Sequence, residues 1–319
     1  MTCPLKVLVT GAGGFIGKHL TSALLKAGYE VCGAVRHDRP PLFDHHRYSQ
    51  SAVGDIGPDT DWAPALDGVR AVAHLAARVH VMKEDSHNPE ELYRRINLLG
   101  TVNLAETSAK SGVERFIYAS TVKVHGSERI EPYAEEETPK PEDAYGRSKY
   151  EAEKALFSMN GFSCAAIRPP LVYGPGVKGN FRALLNLVLK GLPLPFGLVR
   201  NKRSMVHVHN LTSAIVHLLS GPSHEGPFLI RDGRDLSTAE LVRLMGRGLG
   251  RPARLLPVPP ALLRAAGYAA GKNSMVERLL GDLRVDDSRL RISGWTPKID
   301  AESGIIETAT WYKQSRGNS

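Results

Sequence analysis

The residues best suited to chemistry lie in the run AYGRSKYEAEK, residues 144–154. Tyr145 and Lys149 stand four positions apart, so on a helix both side chains project from one face. A free tyrosine has a pKa of about 10, and a neighbouring ammonium group favours its phenolate form. Upstream, Ser120 and Thr121 end an apolar run with hydroxyl groups that can hydrogen-bond a substrate oxygen. A surface helix can carry the same Tyr/Lys spacing, but together these groups predict proton transfer to or from a substrate oxygen.

A glycine-rich run, LVTGAGGFIG at residues 8–17, indicates what the acid–base pair works with. It follows a predicted strand over 6–10 and opens a predicted helix over 15–28. Glycines in this setting let the backbone approach a pyrophosphate, and the helix N-terminus offers N–H groups to it. The run reads GxxGxxG and departs from GxGxxG, yet its setting predicts a dinucleotide site. The residues assigned to it are Gly11, Gly13, Gly14, Phe15, Ile16 and Gly17.

The end of the second predicted strand, 30–35, should select the dinucleotide. Arg36 stands where a carboxylate would bind the ribose 2′-hydroxyl, and its planar fork suits a 2′-phosphate. NADP(H) is therefore favoured over NAD(H). The alternative is that Arg36 is a solvated surface cation and Asp38 binds the ribose.

Two further runs complete the predicted cofactor site. Asp55 and Ile56 follow a short strand-like segment and could meet the adenine edge. Another predicted strand, 71–76, ends in small side chains that leave room for a cofactor. The residues assigned there are Leu75, Ala76 and Ala77.

Strands and helices alternate through the first half of the chain, which is typical of an α/β fold with a doubly wound parallel sheet. Further predicted strands span 115–120 and 163–169, and further predicted helices span 89–112 and 146–159. After about residue 170, prolines and glycines become frequent. The sequence therefore predicts a dinucleotide-binding Rossmann domain over 1–170, completed by elements within 204–233, and a smaller α/β substrate region over 171–319.

Composition narrows the function further. The 319 residues carry a formal charge of +8, but the basic residues form no tail or stripe, so no nucleic-acid partner is expected. The apolar segment 255–271 contains an arginine and three prolines, so no membrane insertion is expected. Cys3, Cys32 and Cys164 form no CxxC or zinc spacing, which predicts no metal site and fits a reducing cytoplasm.

The chain resembles the extended short-chain dehydrogenase/reductases that act on nucleotide sugars. The motifs that carry the resemblance are TGAGGFIG, HLAA, INLLGTVNL, YASTVKVHG, YGRSK, RPPLVYGPG, RSMVHVHNL and GWTPK. The resemblance implies that Tyr145 is the acid/base, Lys149 its electrostatic partner and ribose anchor, and Thr121 the hydroxyl that orients the sugar. It also implies that Asn97 holds a water molecule beside that lysine.

The same resemblance implies a UDP-sugar substrate. Asn180 and Arg203 look like contacts to the nucleotide diphosphate, although each could be an ordinary loop residue. Arg278 is a fainter candidate, for which an ordinary loop residue is the better interpretation. Related proteins often dimerise through the helices near 92–110 and 146–158, so a homodimer is possible.

Departures from the family pattern reduce the number of reactions to consider. Val122 and Lys123 replace the Asp-Glu pair that sugar-nucleotide dehydratases need, so dehydration is not expected. Arg36, and His125 in place of a common tyrosine, favour a reductase that uses NADPH. The run HLAARVHVM resembles bacterial enzymes that reduce UDP-4-keto-6-deoxy-N-acetylhexosamines for O-antigen and capsule synthesis. The alternatives are a UDP-hexose 4-epimerase with tightly bound NAD and a non-catalytic dinucleotide-binding scaffold.

Overall fold

The computed structural model describes residues 5–79 and 88–317. Cys3, and residues 80–82 at the end of the HLAARVHVM run, lie outside the described residues. The chain forms two compact units. Unit 1 comprises the described parts of Met1–Gly126, Glu135–Pro169 and Thr212–Leu229. Unit 2 comprises those of Ser127–Ala134, Pro170–Leu211 and Ile230–Ser319.

Eleven strands are present in the described residues. They are β1 (Lys6–Thr10), β2 (Glu30–Val35), β3 (Tyr48–Ala52), β4 (Ala71–His74), β5 (Arg115–Ala119), β6 (Arg129–Tyr133), β7 (Ser163–Arg168), β8 (Leu171–Tyr173), β9 (Met205–His207), β10 (Gly226–Leu229) and β11 (Leu283–Val285).

The same part of the chain contains twelve α-helices. They are α1 (Phe15–Lys26), α2 (Ala63–Leu66), α3 (Pro89–Tyr93), α4 (Gly100–Lys110), α5 (Ala144–Phe157), α6 (Gly179–Leu189), α7 (Val208–Leu219), α8 (Thr238–Leu249), α9 (Pro260–Ala269), α10 (Asn273–Leu280), α11 (Ser288–Ile292) and α12 (Ala301–Gly317). No helix within the described ranges is long and apolar enough to cross a membrane.

Unit 1 is built on a seven-stranded parallel sheet in the order β10-β7-β5-β4-β1-β2-β3. The predicted doubly wound α/β fold is confirmed. The strand order reverses between β1 and β4, and the crevice at such a reversal is where open α/β sheets bind ligands. Buried apolar residues from strands and helices fill its core, among them Leu8, Val72, Phe116, Leu104 and Leu156.

Several predicted boundaries shift for local reasons. The first helix ends at Lys26, two residues early, because Gly28 turns the chain with φ +90°. The strand predicted over 71–76 ends at His74, because the next two backbone N–H groups bond a side chain, Thr10 Oγ1, instead of a strand. The helix predicted from 146 begins at Ala144, since Asp143 caps it.

The helix predicted over 89–112 is three segments in the structure. Between α3 and α4 lies a π-helical turn, Arg94–Leu99, whose hydrogen bonds span one residue more than those of an α-helix. Such turns are often found at functional sites. Among the elements predicted within 204–233, strand β10 joins the main sheet and ends at Leu229, the last residue to pair with β7, whereas Asp232 N donates to Met205 O.

Unit 2 contains two small parallel sheets, β6 with β11 and β8 with β9. Helices α8 and α12 form the most extensive helix–helix contact in this unit. A side chain at Gly248 would lie 2.7 Å from the Cβ atom of Ala309, so a glycine lets these two helices approach closely. Ser237 and Glu240 form a reciprocal capping box that starts α8.

Candidate active site

The loop between β1 and α1 is shaped for close backbone approach. Gly11 has φ +67°, and a Cβ atom there would lie 3.1 Å from Ala76 N. A Cβ atom on Gly17 would overlap the carbonyl oxygen of Gly11. Gly14 is the N-cap of α1 and supplies no side-chain cap, so the first amides of the helix remain available to an anion. Phe15 and Ile16, in the first turn, are half-buried.

A buried chain of hydrogen bonds ties this loop to β4. Thr10 Oγ1 accepts the N–H groups of Leu75 and Ala76 at 3.1 Å each and lies 2.7 Å from His74 Nδ1. The other ring nitrogen of His74 lies 2.9 Å from Thr101 Oγ1, which donates its own proton to a backbone carbonyl. His74 is therefore neutral with its proton on Nε2. Burial, aided by the charge of Lys149, lowers its pKa to about 3.

The end of β2 carries two cations. Arg36 Nε lies 2.7 Å from Asp55 Oδ1, and both side chains are largely exposed. Arg39 lies against the glycine loop, because a Cβ atom on Gly13 would meet its guanidinium. The sequence reasoning missed Arg39, although it stands only three residues beyond Arg36. Of the other predicted adenine contacts, Ile56 packs against Gly100 of α4.

Ser120 and Thr121 follow β5 and are both buried. Ser120 N donates to the carbonyl of Ile167 at 2.8 Å, which fixes the backbone at the strand end. Thr121 begins a short 3₁₀ turn, and its hydroxyl accepts the N–H of Lys123 at 3.3 Å. The Ser120 hydroxyl has no hydrogen-bond partner among the described residues. Two hydroxyl groups are thus held at the carboxyl end of β5.

The first turn of α5 packs directly on this hydroxyl-bearing turn. Asp143 caps the helix by accepting the N–H of Gly146 at 2.7 Å and forms an ion pair with Lys123. A Cβ atom on Gly146 would lie 2.8 Å from Lys123 O. A glycine is therefore required beside Tyr145, because it lets the turn that starts at Thr121 pack against the start of α5.

Tyr145 is half-buried, and its ring centre lies 6.2 Å from that of Tyr93. Burial raises the pKa of Tyr145 above its usual value, and the charges of Asp143 and Tyr93 raise it further. In the protein without ligands, burial therefore outweighs the lowering of this pKa that is expected from Lys149. At neutral pH the Tyr145 side chain is a phenol.

Lys149 is fully buried, with Nζ 4.1 Å from the ring centre of Tyr118. Burial lowers the pKa of Lys149 to about 7, and the charge of Glu153 opposes this shift. Glu153 lies one helical turn further along α5 and is also fully buried. The amine is therefore close to half-charged near neutral pH.

Behind Lys149 lies a buried ionic network. Arg168 binds both carboxylate oxygens of Glu153, at 3.0 and 2.5 Å, and its remaining Nη1 lies 2.9 Å from His125 Nε2. Because a guanidinium can only donate, His125 Nε2 is an acceptor and the ring is neutral. The sequence identified His125 as unusual but not the arginine that it contacts.

Asn97 lies in the π-helical turn and is buried. Its side-chain amide binds the backbone N and O of Arg78, at 2.8 and 3.0 Å, and donates to Ser148 Oγ at 3.0 Å. Ser148 in turn donates to the carbonyl oxygen of Tyr145 at 2.8 Å. Asn97 therefore anchors the helix that carries Tyr145 and Lys149.

The predicted contacts to the nucleotide diphosphate, unlike Ser120, lie in unit 2. Arg203 Nη1 donates to Gly281 O at 3.0 Å and lies 3.7 Å from Glu128 Oε1. Burial lowers the pKa of Arg203, and the charge of Arg278 on α10 adds a smaller lowering, so these two arginines are neighbours. Asn180 lies exposed in the first turn of α6 and has no hydrogen bond to either arginine in the described structure.

One cluster of potential metal ligands occurs among the described residues: His207, His209 and Glu307, within 4.8 Å of one another. Ligand atoms around a tetrahedral zinc lie about 3.3 Å apart. The imidazole Nε2 of His207 lies 3.9 Å from a carboxylate oxygen of Glu307, which describes a loose ion pair when the ring is protonated. As placed, these groups do not form a metal centre.

Known proteins share this fold and match most of this sequence. Residues 7–229 match the NAD dependent epimerase/dehydratase family. The chain is 42% identical to a UDP-glucose 4-epimerase of Vibrio cholerae, over 98% of this chain and 97% of that protein. Among solved structures it is similar to MoeE5 in complex with UDP-glucuronic acid and NAD, with TM-score 0.77, 26% identity, and coverage of 97% of this chain and 99% of that one.

The UDP-glucose 4-epimerase of Thermus thermophilus in complex with NAD gives TM-score 0.75 at 26% identity, over 97% of this chain and 99% of that one. The family model covers the whole glycine loop, the β5 hydroxyls and α5, and the relative from Vibrio cholerae matches over nearly the full length. The chain therefore belongs to the NAD-dependent epimerase/dehydratase family of extended short-chain dehydrogenase/reductases.

Proposed function

We propose that this protein carries out oxidation–reduction at C4 of a UDP-linked hexose, in the direction of 4-ketone reduction with NADPH. Tyr145 donates the proton to the oxygen at C4, and Thr121 hydrogen-bonds the same oxygen. Lys149, one turn along α5, stabilises the tyrosinate that remains. Charge that develops on the oxygen is what these groups stabilise in the transition state.

The protonation state of Tyr145 is compatible with this direction. Burial and the nearby charge of Asp143 hold its pKa above the usual value, so the side chain can enter the reaction as an acid. Lys149, with its pKa of about 7, can become fully charged as negative charge develops on the phenol.

The β1–α1 loop fits a dinucleotide, because its glycines leave no side chain between the backbone and a pyrophosphate. When bound, the nicotinamide supplies the hydride. The observation that carries the proposal is the pair of cations that follow β2: Arg36, which is exposed and paired with Asp55, and Arg39, which lies beside that loop. Two guanidinium groups there suit a 2′-phosphate, although the Asp55 carboxylate already offsets part of the charge of Arg36.

We assign cofactor binding to unit 1, including Arg36, Asp55, Ile56 and the backbone of Leu75, Ala76 and Ala77. We assign the nucleotide part of the substrate to unit 2. The neighbouring cations Arg203 and Arg278 suit a diphosphate, and Asn180 adds a neutral donor. Ser120, with its unused hydroxyl, suits a sugar hydroxyl.

The proposal is tested by mixing purified protein, NADPH and UDP-4-keto-6-deoxy-N-acetylglucosamine. Loss of the reduced-nicotinamide absorbance, with NMR identification of a 4-hydroxyl product, is the expected result. Arg36→Ala should weaken NADPH binding about tenfold or more and change NADH binding little. The control is Arg70→Ala, because Arg70 is an exposed arginine of the same unit. Equal losses for both cofactors, or no turnover of the ketone, would refute the assignment.

A second candidate is 4-epimerisation of a UDP-hexose with bound NAD. The observation that favours it is the match over nearly the whole chain to the Vibrio cholerae UDP-glucose 4-epimerase, together with neighbours solved with NAD. It predicts that UDP-glucose is converted to UDP-galactose without added cofactor, and that denatured protein releases NAD. Conversion of this kind with no ketone reduction would replace the first proposal by the second.

A further inference from the structure

Unit 2 exposes a group of large apolar side chains that its own fold does not cover. They come from two stretches of chain, 187–200 and 251–272. The exposed members are Leu187, Leu192, Leu198, Leu256, Leu262 and Tyr268. Leu262 is 60% exposed and Tyr268 is 78% exposed. We call these side chains, with the two stretches that carry them, the leucine surface.

The two stretches lie side by side. Leu194 N donates to Arg254 O at 2.8 Å, and Leu256 N donates back to Leu194 O at 2.8 Å. Gly197 N then donates to Leu256 O at 2.9 Å. Helix α9 begins only four residues after Leu256. Leu192, Leu198 and Leu256 therefore lie on two adjacent stretches of unit 2, and the chain leads from Leu256 directly into α9, which carries Leu262 and Tyr268. Exposed apolar residues that are isolated from one another would need no explanation.

Helix α9, PALLRAAGYA, is apolar yet almost uncovered. Gly267 is its one buried residue and packs on Val276 of α10, where a Cβ atom would not fit. Arg264 holds the two helices together through Glu277 at 3.0 Å. Leu262, Ala265 and the residues one turn further on face solvent. A helix of this composition normally buries one face.

The same two stretches are strongly basic. Neither 187–200 nor 251–272 contains an aspartate or glutamate. Six basic residues, all exposed, lie in them: Lys190, Arg200, Arg251, Arg254, Arg264 and Lys272. The net charge of the whole chain, +8, does not reveal this local excess of positive charge. Glu277 of α10 offsets the charge of Arg264, so the two stretches together with Glu277 carry a net charge of 6 − 1 = +5. Apolar groups among an excess of basic groups are typical of surfaces that bind anionic lipid.

We propose that the leucine surface docks the protein on an anionic lipid bilayer. A bilayer supplies both an apolar layer for Leu262 and Tyr268 and phosphate headgroups for the arginines and lysines around them. A second copy of the chain fits less well, because it would bring two surfaces of the same net positive charge against each other. Each basic residue near an anionic membrane strengthens binding by roughly fivefold. This inference is independent of the reaction at C4.

The test is flotation of the full-length protein with vesicles. One set is pure phosphatidylcholine and the other contains roughly 30% phosphatidylglycerol, a charge density at which basic segments bind. We expect at least tenfold stronger binding to the anionic vesicles, and weaker binding as salt is raised. The double variant Leu262→Ser/Tyr268→Ser should lose at least tenfold in binding to the anionic vesicles.

Ile292→Ser is the matched control, because Ile292 is an exposed apolar residue of α11 outside the leucine surface. It should bind vesicles as the wild type does. Unchanged unfolding transitions show that the variants fold. Absence of wild-type binding, equal binding to both vesicle types, or a wild-type-like double variant would overturn the proposal. So would lipid-independent self-association that the double variant abolishes, since a second copy would then be the occupant.

Discussion

Replacing the buried Lys149 by methionine should remove activity and stabilise the fold at the same time. The ammonium group is buried without a direct ion pair in the described structure, and burial lowers its pKa to about 7 from an ordinary value of 10.5. Protonated Lys149 therefore costs free energy in the folded state and none in the unfolded state. Methionine has a similar length and carries no charge to desolvate.

The destabilisation of the folded state by Lys149 depends on pH. Below pH 7 the amine is protonated in both states, and its destabilisation is complete, at about 5 kcal/mol for the shift from 10.5 to about 7. Between pH 7 and 10.5 the folded state loses its proton while the unfolded state keeps it, so the stability of the wild type rises. From pH 6 to pH 9 the wild type should regain about 2.5 kcal/mol that Lys149→Met does not.

The measurement is urea unfolding of cofactor-free wild type and Lys149→Met at pH 6 and pH 9. Other titrating groups are common to both proteins, so the difference in the free energy of unfolding isolates the lysine. Lys154→Met is the control, since Lys154 is exposed on the same helix. Its difference from wild type should not change with pH. A gap between wild type and Lys149→Met that is as large at pH 9 as at pH 6 would refute the buried-amine argument.

Three further changes test the site and its support. Tyr145→Phe should lower turnover of the ketone by about 10²–10⁴-fold while the dissociation constant of NADPH changes little; unaltered turnover would disprove its role as the acid. Gly17→Ala should abolish NADPH binding in a fluorescence titration because its Cβ atom has no room, whereas Gly57→Ala, whose Cβ atom would come no closer than 3.6 Å to a neighbour, should bind normally. Arg168→Met should lower the free energy of unfolding by about 3–5 kcal/mol by leaving Glu153 buried and unpaired, and adding Glu153→Met should recover most of that loss; a double variant as unstable as the single one would contradict this.

Local chain chemistry was enough to predict much of unit 1. The bounds of β1 and β2 were predicted correctly, because short β-branched runs end there at a glycine loop and at a charged stretch. The four-residue spacing of Tyr145 and Lys149 predicted that both side chains lie on one face of a helix, because a helix turns once in about 3.6 residues. Their charge states could not be read from spacing, because they depend on burial and on partners distant in sequence such as Arg168.

Other features depend on tertiary contacts that leave little trace in the sequence. An α-helical and a π-helical turn have almost the same apolar periodicity, so the segmented helix between Pro89 and Lys110 was predicted as continuous. Arg39 was overlooked because its position beside the glycine loop is set by the chain after β2. The exposed state of α9 was also hidden, since an apolar run is expected to be buried.

The wide turn at Arg94–Leu99 makes the length of this segment critical. It holds one residue more than a regular helical path between Tyr93 and Gly100 would need. Deleting a single residue there would close the wide turn into a regular α-helix, so that α3 and α4 keep their orientations while the side chains within the turn change position. Asn97 would be displaced from Ser148, and α5 would lose this anchor. Substitutions on the outer face of this turn should therefore be tolerated, whereas a one-residue insertion or deletion should not.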